Sequence, residues 1–226
     1  MQTTDLARRN LLTAGMAALA TTRLNAQSQP QPKPRQEMEL VKAFVIAGHA
    51  DANLAKVKDM LQQDPKLATA AWDWGAGDWE TALGGSGHMG AREMAHFLLE
   101  NGARIDAFCA AMLGRRDLLG AVLAFTPEAA KVLGPHGFTL LYHAALSGQV
   151  GAAELIKPHL EEKSPHYNQA LRGAVGSGHI EMTSWLLRNG VTNPNQTDFA
   201  GKRPLTVATD KGFREIAEEL RKFGAE

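Results

Sequence analysis

Three pairs of glycines in this chain share one spacing: Gly90 and Gly102, Gly178 and Gly190, Gly212 and Gly224 are each twelve residues apart. Inside each interval the apolar residues recur at helical spacing: Met94, Ala95, Leu98 and Leu99; Met182, Leu186 and Leu187; Ile216, Ala217 and Leu220. A helix ends cheaply where a residue can take positive φ, so the first glycine of a pair closes one short helix and the second closes the next. The spacing therefore predicts helix pairs. A pair this short cannot bury its own apolar face and must stack on others like it.

Aligning the chain on the glycine that ends each first helix (Gly90, Gly114, Gly148, Gly178, Gly212) exposes the repeat, at intervals of 24, 34, 30 and 34 residues. Nine residues earlier stand Thr81-Ala82-Leu83, Thr139-Leu140-Leu141, Gln169-Ala170-Leu171 and Arg203-Pro204-Leu205. Four residues earlier comes a small pair, Ala110-Ala111, Ala144-Ala145, Ala174-Val175 or Ala208-Thr209, and eight residues later Leu98, Val122, Ile156, Leu186 or Leu220. Small residues suit a helix pressed between neighbours, and the larger apolar ones suit the broader second layer.

The segment from Asp198 to Ala225, with Gly201, Pro204-Leu205, Gly212 and Gly224-Ala225 in order, resembles an ankyrin repeat. Gly137–Ile156 and Gln169–Gly190 are similar to it, and a divergent first unit is expected over about 38–66, with Ala52 in the glycine's place and Met60-Leu61 closing its second helix. The resemblance implies an all-α ankyrin-repeat solenoid of about six helix-turn-helix units with short β-hairpin fingers, spanning residues 38–226. The 24-residue interval leaves no room for a finger between Gly102 and Phe108, and Gly84 and Tyr142 stand where the family has a histidine. In the last unit Arg221, flanked by Glu218, Glu219 and Lys222, gives a polar outer face of the kind that caps a stack.

Residues 1–26 read as an export signal. Arg8-Arg9-Asn10-Leu11-Leu12 resembles the twin-arginine motif, the apolar stretch Leu11–Ala20 is too short to span a bilayer, and Leu24-Asn25-Ala26 offers a cleavage site after Ala26. Residues 27–37 are a Pro/Gln-rich linker. The expected location is the bacterial periplasm or the cell exterior, with no stable membrane insertion once the signal is removed. Removal of the signal leaves a formal charge of about −2, and no run of Lys or Arg forms a stripe, so nucleic acid is not an expected partner. Cys109 is alone and falls beside Ala110-Ala111, a packed position.

Two regions stand out as binding surfaces. Trp72, Trp74 and Trp79, three of the four tryptophans, lie in the connection before the second unit with Asp78 among them. Large amphipathic rings on a finger are typical interface anchors, although Trp72 can equally cover the first unit. In the ankyrin family, the two residues before the first-helix glycine line the concave groove. Here that implies His88 and Met89, Met112 and Leu113, and Leu146, an apolar run suited to contact. The expected contact set is thus Trp74, Asp78, Trp79, His88, Met89, Met112, Leu113 and Leu146. The reading is a monomeric, non-catalytic scaffold for a protein partner. The alternative is a small-molecule or peptide binder with a pocket around Trp72, Trp74 and Trp79.

No metal site, cofactor or catalytic group is expected. His88 and His96 are eight residues apart on different helices, His143 reads as a packed residue and His179 as a hydrogen bond between units, and no second cysteine exists. Gly84-Gly85-Ser86-Gly87-His88 suggests a nucleophile turn, but it falls within a first helix and no strand-to-helix elbow precedes it.

Overall fold

The computed structural model describes residues 35–226, with side chains from Met38 onward. The export motif at Arg8 and Arg9, the cleavage site at Ala26 and most of the linker lie outside the described residues. Six helix pairs follow one another: α1 (Arg35–Ala47) with α2 (Leu54–Gln63), α3 (Ala82–Met89) with α4 (Arg92–Glu100), and α5 (Ala107–Leu113) with α6 (Arg116–Phe125). Then come α7 (Leu140–Leu146) with α8 (Val150–Ile156), α9 (Pro165–Ser177) with α10 (Ile180–Asn189), and α11 (Pro204–Asp210) with α12 (Arg214–Lys222). From the second pair onward the first helices pack on one another in sequence, as do the second helices from the third pair onward. The fold is the all-α solenoid of helix-turn-helix units.

The helix boundaries follow from local chemistry. Thr81, Asp106 and Thr139 each turn a side-chain oxygen onto the amide two or three residues into the helix, at 2.9, 2.7 and 3.1 Å. The anchors Gly90, Gly114, Gly148, Gly178 and Gly212 all take left-handed φ between 66° and 81°. Gly190 is the exception among the paired glycines: its backbone is extended, and what it supplies is room. A Cβ there would sit 2.5 Å from the Tyr167 ring and 2.7 Å from the Glu162 carbonyl.

The first unit is placed differently from expectation. Its first helix ends at Ala47, so the position of the anchor belongs to Gly48 rather than Ala52, which lies in a 3-10 turn leading into α2. Gly48 lets this unit press on the next, since a Cβ would fall 2.7 Å from Ala82. Hairpin fingers are also fewer than expected. Among the described residues one antiparallel pair forms, β1 (Ala71–Asp73) with β2 (Trp79–Thr81), and the fourth unit has only an isolated bridge between Leu133 and Thr139. The third unit has no finger, as its short interval requires.

The apolar core falls into two clusters. One runs from Val41 through Phe44, Met94 and Leu98 to Met112 and Leu113; the other runs from Ala111 through Leu119, Leu141 and Leu186 to Leu220. They meet at α5, whose alanines and Met112 are divided between them.

Candidate functional site

The finger before α3 carries the chemistry. Strand alternation puts Trp72 and Glu80, which are paired across the hairpin, on its inner face, and Asp73 and Trp79 on the outer one. Trp72 packs against the first core cluster with the Lys42 ammonium 5.2 Å from its ring. It covers the first unit. Trp79 points away and is 61% exposed. The three tryptophans therefore do not converge on one pocket.

Glu80 is the centre of the site. Its carboxylate is fully buried, which is costly for a charge unless it is matched. The Trp74 indole N–H donates to Oε2 at 2.8 Å, His49 Nε2 lies 3.1 Å from the same oxygen, and His88 Nδ1 lies 2.9 Å from Oε1. His136 Nε2 is 3.5 Å from Oε1. Burial alone would raise the Glu80 carboxyl, but the close contacts of His49 and His88, with the hydrogen bond from Trp74, hold it well below the usual carboxylate range. The Glu80 contact in turn raises His49.

Four separate pieces of backbone supply these groups. His49 follows the first helix, Glu80 is on β2, His88 is in the last turn of α3, and His136 sits in the turn before α7. His49 lies across α3 where that helix has no side chain: a Cβ on Gly85 would meet the imidazole at 3.1–3.2 Å. His136 takes a left-handed backbone (φ 58°), uncommon for a non-glycine residue. Asp78 holds it there, with Oδ1 accepting from the His136 amide at 3.1 Å and Oδ2 lying 2.9 Å from Nδ1. Because the third unit has no finger, the fourth unit's turn reaches across it to the finger of the second.

Of the residues expected to form a contact surface, Trp79 and Met89 are exposed and Trp74 is partly so. Asp78 is spent on His136, and Leu146 is half-buried, near Gly90. Met112 and Leu113 are buried, and so is His88, which faces Glu80. These three residues do not line an open groove: without a third finger, the neighbouring units close over α5. A second correction concerns the histidines, which spacing alone had excluded as a cluster. His49, Glu80, His88 and His136 can each offer one ligand atom, and those atoms lie within 4.8 Å of one another. The Ser86 hydroxyl donates to the Leu83 carbonyl at 2.7 Å, so Ser86 and His88 do not form a nucleophile–base pair. His143 is packed as expected, with Nδ1 donating to the Thr139 carbonyl at 2.8 Å.

An aromatic row leads away from this cluster. His88 stacks on Phe138 with centroids 5.5 Å apart, Phe138 stacks on Tyr142 at 4.4 Å, and Phe199 meets Phe138 edge-on at 5.9 Å. With Trp74 6.0 Å from His136 and His136 5.1 Å from His88, rings connect the second unit's finger to the turn before α11. Phe199 at its far end is 83% exposed.

Fold and site together define a helix-pair repeat protein with a partly buried histidine–carboxylate cluster gathered around Glu80 of its one hairpin finger among the described residues. A crystal structure of an ankyrin repeat domain from Acinetobacter baumannii AYE is similar to this chain at 25% identity, over 84% of this chain and the whole of that domain, with a TM-score of 0.45. No family model matches the sequence.

Proposed function

We propose that this chain is a non-catalytic protein-interaction scaffold that works in the periplasm or outside the cell. Its contact surface lies on the finger side of units two to six. The observation that carries this reading is the set of large apolar side chains left open there. Trp79, Leu133 and Phe199 stand on the connections before α3, α7 and α11, and Met89 at the end of α3; all four are more than half exposed. Stiff rings at the tips of a rigid stack are anchors that lose little entropy on binding. The surface expected from the sequence is thereby moved outward, from Met112 and Leu113 to the finger tips. Location outside the cytoplasm is supported by the Arg8-Arg9 motif and the short apolar stretch behind it. Among the described residues, no helix is long and apolar enough to cross a membrane.

A photo-crosslinking side chain placed at Trp79 or Met89 tests the reading, with Phe125, 91% exposed on α6, as control. One discrete periplasmic protein captured from positions 79 and 89, but not from 125, is expected. Equal capture from all three positions, or from none, refutes it.

A further inference from the structure

We propose that His49, Glu80, His88 and His136 bind a single divalent transition-metal ion of the zinc class. This goes beyond partner capture and does not depend on it.

His49 Nδ1 lies 3.0 Å from the Ile46 carbonyl, which can only accept, so this nitrogen carries the hydrogen. His136 Nδ1 likewise faces the Asp78 carboxylate at 2.9 Å. In the neutral tautomer each ring then turns an unprotonated Nε2 inward, and both inward nitrogens face Glu80, itself an anionic acceptor. Lone pairs directed at a carboxylate from two sides repel unless positive charge lies among them. A ligating histidine whose other N–H is fixed by a backbone carbonyl or a carboxylate is the usual outer shell of a zinc site.

The inner atoms agree. Glu80 Oε1 and His88 Nδ1 are both buried and 2.9 Å apart, yet they are not aligned as donor and acceptor, and neither has another hydrogen-bond partner. Two ligands aimed at a common point meet in this way. With metal–ligand bonds of about 2.0–2.1 Å, the edge of a tetrahedron is about 3.4 Å. The separations of His88 and His136 from Glu80 Oε1, 2.9 and 3.5 Å, bracket that value, and His49 lies 3.1 Å from the other carboxylate oxygen.

Three imidazoles and one carboxylate select the borderline cations. Calcium and magnesium prefer all-oxygen shells, and no thiolate is present to favour copper(I). The bare face of α3 at Gly85 makes room for the His49 ring, and the partial exposure of His49 and His136 leaves a way in for the ion. Binding would lock the first unit, the second unit's finger and the fourth unit's turn to one atom.

The test uses the full-length chain, stripped with chelator and titrated with Co²⁺. One equivalent should give the visible absorption bands of a four-coordinate site, and Zn²⁺ should displace it. His136→Gln, on an exposed turn, should weaken Co²⁺ binding at least tenfold with unchanged far-UV circular dichroism, and His49→Gln should do the same. The second variant provides a check if the first perturbs the turn. Binding that does not saturate at one equivalent, bands of six-coordinate cobalt, or parental affinity in both variants would overturn the assignment. Failure to bind any cobalt would show that protons alone supply the positive charge.

Discussion

Replacing Glu80 by Gln isolates what a buried carboxylate does in a stack of this kind. The substitution keeps the size of the side chain and an acceptor for the Trp74 indole, but it removes the charge that faces His49 and His88 at 3.1 and 2.9 Å. Hydrogen bonds to a charged group contribute about 1.5–3 kcal/mol each, and breaking one side of a buried pair costs about 3–5 kcal/mol. With chelator present, the loss should be about 3–5 kcal/mol. For a domain of this size that corresponds to a fall in Tm on the order of 10 °C. The groups around Glu80 come from the first, second and fourth units, so the loss should be confined to that end of the stack. Hydrogen exchange should quicken in residues 35–63 and 71–89, while residues 165–222 stay protected. Urea unfolding followed by exchange mass spectrometry measures both quantities. A Glu80→Gln protein as stable as the parent, or one whose exchange rises evenly along the chain, would refute the view that this carboxylate fastens the first two units together.

Two further outcomes follow from other buried groups. Burial, set against its bond to the Thr139 carbonyl, pushes the His143 imidazole down to about 4, so it is neutral in the folded chain, whereas an unfolded chain takes up the proton near 6.5. Stability from this group is therefore complete above pH 6.5 and is lost as the pH falls towards 4, by about 3 kcal/mol in all; His143→Gln should remove that part of the difference between urea unfolding at pH 7.5 and at pH 4, and an unchanged difference would contradict it. Burial also pushes the Cys109 thiol up to about 12, so a disulfide reagent at pH 8 should leave it unmodified until urea unfolds the chain, and prompt stoichiometric labelling of the folded protein would show that α5 opens readily.

What could be read from the sequence was local. The anchors from Gly90 to Gly212 and the caps at Thr81 and Thr139 each depend on residues within a few positions of one another, so spacing recovers them. The first unit differs because Gly48 lacks the left-handed φ the other anchors share, and because Val41 stands before it where Leu83, Leu141, Leu171 and Leu205 precede other anchors. Met112 and Leu113 occupy groove positions in the sequence but are buried, because their unit has no finger to hold its neighbours apart. The histidine cluster was hidden for a different reason. His136 lies 48 residues beyond His88, and only the stacking of a shortened unit between them brings the two rings to 5.1 Å. One local sign was available: Glu80 alternates with Trp79 and Thr81 on a strand, which turns an acid inward directly before an apolar helix.

The division of the core at α5 marks the place where the solenoid is expected to yield first under load. Pulled from its two ends, the chain should part at that thin alanine-lined seam, leaving two halves that each retain an oily interior. Asp78 and His136 stand on opposite banks of the seam and hold it shut from the side, as a latch does a lid. Whatever grips or releases that latch also sets how far the two halves can bend.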